Sequence, residues 1–249
     1  MLKRYVNLPA LSALLLAVLG ASAMFGAEPA AKIKVLVVTG GHGFAKEPFF
    51  QMFKDNAEIA FTAAEQDKTN ATVYEREDLL SYDVVVLYDI AKTITEEQKQ
   101  RFLALFDQGT GLVVLHHALV SYQHWPEYEK IIGGRYPEAD DKSGDVTPEV
   151  GYEHDLEIPV VIVAKDHPVT AGLEDFTIHD EIYWGFSVQP DVTPLLTTTH
   201  PKSGKPLAWA RQQRKSRVVF IQLGHGPEAF ANRNYRQLLA QSIRWTAKR

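Results

Sequence analysis

The sequence predicts a doubly wound α/β domain on a mainly parallel sheet. Two observations carry this. The runs 33–39, 83–88 and 112–115 are apolar almost without interruption, as strands covered on both faces must be. Between them lie segments with apolar residues at helical spacing, and alternating strands and helices imply parallel crossovers.

The elements follow in order. "KIKVLVVTGGHGF" reads as a buried strand that breaks on Gly40 and Gly41. "EPFFQMFKDNA" puts Phe49, Met52 and Phe53 on one helical face. "EIAFTAAE" is a second strand, and "YDVVVLYD" a third that ends at Asp89. "TITEEQKQRFLALFDQGTG" is a marked helix. Thr95 is its N-cap, with Gln98 at N3 completing a capping box. Phe102, Leu105 and Phe106 form its stripe, and Gly109 and Gly111 end it. The strand 112–115 comes next and ends in two adjacent histidines, His116 and His117.

The pattern then changes. Residues 133–190 are rich in Gly, Pro, Asp and His, with one clear apolar run, "IPVVIVA". They read as an elaborated insertion packed over the sheet. "TPLLTTT", "PLAWARQ" and "RVVFIQLGHG" are closely spaced strands suited to antiparallel pairing. A final helix, about 228–246, buries Tyr235, Leu238, Leu239 and Ile243.

The first residues read differently. Lys3 and Arg4 precede a long apolar run, and Ala21-Ser22-Ala23 fits a small-x-small cleavage site. This is the pattern of a secretory signal peptide over 1–23. Residues 24–31 are then a linker and 32–249 the folded domain. The expected location is periplasmic or secreted. The alternative is an uncleaved N-terminal membrane anchor, since the run is just long enough to span a bilayer.

Composition excludes several function classes. The 249-residue chain has 31 acidic and 26 basic residues. Removing the leader takes away two bases and no acid, so nucleic acid is not an expected partner. There is no cysteine. Disulfides, thiolate catalysis and Cys-ligated zinc are therefore excluded.

In open α/β sheets ligands bind beyond the carboxyl ends of the strands. Those ends deliver His42, Asp89, His116, His117, and then "GHGPE" with His225 and Glu228. Four imidazoles thus converge on one rim. The glycines of "TGGHGF" lack a G-x-G-x-x-G or Walker lysine context, so phosphate binding is weakly indicated. Gly40 and Gly41 instead let the backbone turn sharply and approach a ligand. "IHDEIYW" gathers Asp180, Glu181, Tyr183 and Trp184, and carboxylates beside aromatics suit a sugar-binding surface.

These segments together resemble ThuA-like proteins (trehalose utilisation). The elements that carry the resemblance are "YDVVVLYD", "TEEQKQRFLALFDQGTGLVVLHHAL", "WPEYEKIIGGRY", "DHPVTAGLEDFTIHDEIYW" and "RVVFIQLGHG". The resemblance implies a flavodoxin-like, class I glutamine amidotransferase-like doubly wound sheet, with the insertion over the C-terminal edge of the strands. It places His116 at the family's "LH", His167-Pro168 at its "HP", Asp180-Glu181 at its "DE" and His225 at its "GH". His117 falls where a small residue is more usual. Amidotransferases of this scaffold carry a Cys on the turn where His116-His117 stand, completed by a late His and Glu, here His225 and Glu228. Without any Cys, the thioester mechanism of glutamine hydrolysis is impossible.

Three readings stand at this point. His116 and His225, with Glu228 orienting the latter, do acid–base chemistry on a sugar or keto-sugar, as a hydrolase, lyase or isomerase. Or His42, His116, His225 and Glu181 bind a divalent metal such as zinc, with an open position. Or the chain is a non-catalytic sugar-binding module. Gly40, Gly41, His117, Asp180, Glu181, Tyr183 and Trp184 are the expected substrate contacts. The expected partner is a carbohydrate small molecule. No stable membrane span is expected after leader cleavage, and a homo-oligomer is left open.

Overall fold

A computed structural model of the chain describes residues 1–3, 31–138 and 149–249. The leader and linker lie almost wholly outside the described residues, as does part of the insertion, 139–148. No helix among the described residues is long and apolar enough to cross a membrane.

The first half alternates as expected: β1 (Ile33–Gly40), α1 (Lys46–Lys54), β2 (Ile59–Glu65), β3 (Val84–Asp89), α2 (Glu96–Gln108), β4 (Gly111–Leu115) and α3 (Pro126–Ile132). Then come β5 (Gly134–Arg135), β6 (Gly151–Ile162), β7 (Phe176–Trp184), β8 (Ser187–Val188), β9 (Thr193–Thr198), β10 (Ala208–Gln213) and β11 (Ser216–Ile221). Two helices close the domain, α4 (Pro227–Ala231) and α5 (Arg233–Thr246).

Nine strands form one sheet in the order β2-β1-β3-β4-β11-β10-β9-β6-β7. The strands from β2 to β11 in that order are parallel. The rest pair antiparallel. The insertion therefore does two things. Its strands β6 and β7 extend the sheet at one edge instead of lying over it. Their ends and the residues before them also reach the carboxyl ends of the parallel strands, where the cavity described below opens.

The uninterrupted apolar runs have a simple cause. In β1, Val35 and Val37 point into one core layer with α1 and α5, while Leu36 and Val38 point into the other with α2 and α3. In β4, Val113 and Leu115 face the first layer and Leu112 and Val114 the second. A strand covered on both sides has no solvent face to make polar.

The α2 capping box is formed. Thr95 Oγ1 accepts from Gln98 N at 3.2 Å, and Gln98 Oε1 accepts from Thr95 N at 3.0 Å. The expected final helix is two helices. Asn232 interrupts it with extended backbone (ψ 122), and its side chain caps α5 by accepting from Asn234 N and Tyr235 N. The chain reverses direction in the sheet between β1 and β3, which flank the point where it first runs to β2 and then back past β1. That switch point is where open α/β sheets bind ligands.

Candidate functional site

β4 stays apolar and buried to Leu115, and the next residue breaks it. His116 adopts a left-handed backbone (φ 50) and opens a short 3-10 turn, His116–Val120. The turn throws the ring under the loop after β11, where it is fully buried. His116 Nδ1 lies 2.6 Å from the Gln222 carbonyl oxygen. A carbonyl only accepts, so in the neutral ring Nδ1 carries the proton and Nε2 presents its lone pair. Three groups surround that nitrogen: the Tyr183 hydroxyl at 2.9 Å, His225 Nδ1 at 3.1 Å and Glu181 Oε1 at 3.3 Å. The hydroxyl and His225 can donate to the lone pair, whereas the Glu181 carboxylate pairs with this nitrogen when Nε2 carries a proton.

Neighbouring residues of β7 take opposite roles because strand side chains alternate in face. Glu181 turns toward the imidazoles. Burial pushes its carboxyl up, but His116 and His225 outweigh that and the net direction is down. Asp180 turns the other way and is 5% exposed. Its oxygens accept from the backbone N–H of Gly224 (2.6 Å) and His225 (2.9 Å), so it fixes the loop that aims His225. Burial raises its carboxyl above the ordinary carboxylate range, opposed by His116 and by those two N–H groups. Gly224 has φ 109, and any Cβ there would collide with Tyr235. This loop therefore requires glycine at that position.

A fifth histidine joins the site from β6. The β6–β7 register shifts between Glu153 and Leu156, so His154 and Asp155 stand opposite the single Glu181. Asp155 takes up the extra residue in a left-handed conformation (φ 58), a bulge geometry that re-aims its neighbour. His154 then shares the face of Glu181, and its Nδ1 lies 2.5 Å from Glu181 Oε2.

His42 and His117 complete the floor. His117 is 6% exposed and packs on Tyr88 at 4.4 Å between ring centres. Burial depresses both imidazoles below the usual histidine range, His117 strongly. The five rings form a row. Centre-to-centre steps run 3.4 Å from His42 to His117, 5.1 Å to His116, 5.2 Å to His225 and 4.7 Å to His154. Above the row opens a cavity of about 650 Å³, onto which His42, His117, His154, His225, Glu181 and Tyr183 face. Tyr136 and Tyr152 form its aromatic wall. His116 is the buried link behind it.

The structure redistributes several expected roles. The carboxylate beside His225 is Glu181 (3.5 Å), not Glu228, which is exposed on α4. Gly40 and Gly41 have positive φ, and a Cβ on either would strike the backbone oxygen of Gln66 or Ile90. They let the loops after β1, β2 and β3 pack together and do not line the cavity. Trp184 packs against Gly151 and the core, so the aromatics that line the cavity are Tyr136, Tyr152 and Tyr183. Asp180 acts on the loop and lies outside the cavity lining. His167 closes a local turn, with Nδ1 accepting from Val169 N, and lies against Trp245.

His116, Glu181 and His225 offer donor atoms that all lie within 4.8 Å of one another. His42, expected as a ligand with them, is not in that group. Tetrahedral zinc ligands at bonds of about 2.0–2.1 Å stand roughly 3.3 Å apart, close to the 3.1 and 3.3 Å seen around His116 Nε2. Sequence reasoning missed His154, Tyr136 and Tyr152. "GYEHDLE" carries no sign of the bulge on which the placement of His154 depends.

A doubly wound sheet of flavodoxin-like order, with a left-handed turn at His116 after β4 and a late histidine after β11, defines a class I glutamine amidotransferase-like scaffold. The family model described as "ThuA: Trehalose utilisation" matches residues 34–246, and the chain belongs to that family. Among solved structures, it is similar to a putative ThuA-like protein from Parabacteroides merdae (21% identity, 87% of this chain and 90% of that one, TM-score 0.74). It is also similar to one from Bacteroides uniformis (21%, 88% and 93%, TM-score 0.61). A glutamine amidotransferase from Thermotoga maritima shares the fold at 12% identity (87% and 99%, TM-score 0.50). A comparison with curated proteins gives no match.

Proposed function

We propose that this protein acts on a carbohydrate, as a hydrolase, lyase or isomerase that moves a proton at a sugar hydroxyl or at a carbon beside a sugar carbonyl. The family's association with trehalose utilisation supports the substrate class. One observation carries the chemistry: His225 is half exposed at the cavity, and its Nδ1 faces two acceptors, His116 Nε2 and Glu181 Oε2. Its proton therefore sits on Nδ1, and Nε2 is left as the base. Glu181 orients the ring and stabilises the imidazolium that forms, as the carboxylate does in a Ser-His-Asp triad. His116 is the positioning residue, and the tyrosine wall receives the apolar face of the sugar.

His225→Ala and His225→Gln should lower kcat on a keto-glycoside by about 10²-fold or more while sugar affinity changes less than about threefold. If the wild-type protein binds sugars but consumes no keto-glycoside offered, it is a binding module. Export belongs to the same proposal, supported by the basic, apolar and small-residue order of the leader. Protein recovered from cells should begin at Met24 by N-terminal sequencing, whereas a retained Met1 would favour the anchor.

The clustered donors favour a second reading, with a divalent metal on His116 Nε2, Glu181 and His225 Nδ1. A bound ion would polarise a sugar carbonyl. The two readings require opposite tautomers of His225, Nδ1–H without metal and Nε2–H with it. Elemental analysis of the purified protein and the nitrogen-15 spectrum of His225 separate them.

A further inference from the structure

The proton chemistry above uses only one of the two half-exposed histidines that Glu181 holds. His225 Nδ1 lies 3.5 Å from Glu181 Oε2, and His154 Nδ1 lies 2.5 Å from the same oxygen. A carboxylate only accepts, so each ring turns an Nδ1–H toward Glu181 and its Nε2 away from it. Glu181 is buried, while the two side chains are 45% and 46% exposed and line the cavity. The ring edges that carry Nε2 are therefore the ones within reach of a ligand. The ring centres stand 4.7 Å apart, and each nitrogen reaches a further 2.6–3.2 Å or so to a reacting group. Both rings can thus touch neighbouring atoms of one sugar. One carboxylate balances one imidazolium, and the shorter distance puts that cation on His154. An acid and a base then stand side by side on one shared counter-ion.

We propose that His154 is the second catalytic imidazole of this site, the acid that works with the His225 base to enolise a keto-sugar. The inference rests on the proton-transfer reading above and narrows it to abstraction beside the carbonyl, the step that isomerases and eliminating lyases share. His225 Nε2 takes the proton from that carbon. The C–H electron pair becomes the C=C bond of the enediol, and the carbonyl π pair moves onto oxygen. That oxygen takes the Nε2 proton of His154. One N–H bond forms as another breaks, and no oxidant or reductant is needed. The positive charge passes from one ring to the other while Glu181 Oε2 stays beside both, so the buried carboxylate keeps its counter-ion throughout. A proton held on a half-exposed ring exchanges with water, which makes the step visible as isotope exchange.

The test follows methyl 3-keto-α-D-glucopyranoside and D-fructose in deuterium oxide with the full protein. In the wild type, the hydrogen beside the carbonyl of at least one of them should wash out of the proton spectrum faster than in buffer. His154→Asn places an amide N–H where Nδ1 stands and removes Nε2. That variant and His225→Gln should each slow the exchange by about 10²-fold or more, with KM changed less than about threefold. The nitrogen-15 shifts of His225 should stay at wild-type values in His154→Asn. A residue that merely holds Glu181 would be replaced by Asn without loss. Exchange by His154→Asn within about threefold of the wild type therefore overturns the proposal and leaves the carbohydrate reading intact. So does consumption of the keto-glycoside with no deuterium in the product. Lost exchange accompanied by moved His225 shifts makes His154 a positioning residue and overturns its role as the acid. Exchange that a chelator abolishes and zinc restores also overturns it, since a metal on His225 Nδ1 leaves no base at Nε2. If the wild type neither exchanges nor consumes either sugar, the pair falls together with the enzymatic reading.

Discussion

Asp89 shows how a single residue at the end of a parallel strand sets a pH dependence. It terminates β3 at 1% exposure, with Oδ2 accepting from Gln66 Nε2 at 2.8 Å and Oδ1 without a partner. Burial pushes its carboxyl up to about 7, against the opposing hydrogen bond from Gln66. A carboxyl whose folded pKa lies above its unfolded one holds its proton longer in the fold. Its contribution is complete below about pH 3.8, falls as pH rises, and levels off above about pH 7. Asp89→Asn should therefore match the wild type near pH 4 and exceed it at pH 8 by up to roughly 4 kcal/mol, less where the site relaxes. Urea melts of both proteins at the two pH values check this, and an equal difference at both would refute it. At this scale the sequence is a partial guide. That histidines would cluster after β1, β4 and β11 could be read from strand ends. Which nitrogen of His116 carries the proton could not, because Gln222, 106 positions away, decides it.

Elements were legible where their signals are local. The capping box of α2 lies within four consecutive residues, and the two-sided burial of β1, β3 and β4 shows as unbroken apolar runs. Signals that depend on a partner strand stayed hidden. β6 alternates too loosely to be read, since its pairing with β7 is interrupted by the bulge at Asp155. The break at Asn232 was read as part of one helix, although an Asn two positions before Asn234 is a usable N-cap signal. The bulge makes its own prediction. Left-handed backbone costs a β-branched residue about 1–2 kcal/mol and glycine nothing. Asp155→Val should thus destabilise the protein by about that amount and draw His154 away from Glu181, while Asp155→Gly should hold both. Paired thermal melts and the His154 nitrogen-15 shifts give the answer. A valine variant indistinguishable from wild type in both would mean that the left-handed turn is dispensable.

The whole domain separates where stability resides from where chemistry can occur. Its two apolar layers lie on the faces of the sheet, and the polar residues gather at one end of the parallel strands. Fold class could be read from the sequence because burial on both faces leaves a one-dimensional trace. The far edge could not, since nothing in residues 133–190 says which strand β6 and β7 will join. The separation predicts unequal costs of substitution. Phe220 is fully buried in β11 and stacked on Trp209 at 4.1 Å, so Phe220→Ala should cost about 3–5 kcal/mol through lost packing and the cavity left behind. His225→Ala removes a half-exposed ring at the cavity edge, and its cost should stay below about 1 kcal/mol. If the rim were a structural device and the imidazole row a part of the core, the two variants would melt together. Calorimetry on both, at a pH where Asp89 is ionised and again where it is not, decides between these accounts. A His225→Ala protein that melts near wild type but consumes no keto-glycoside would separate function from stability at that residue.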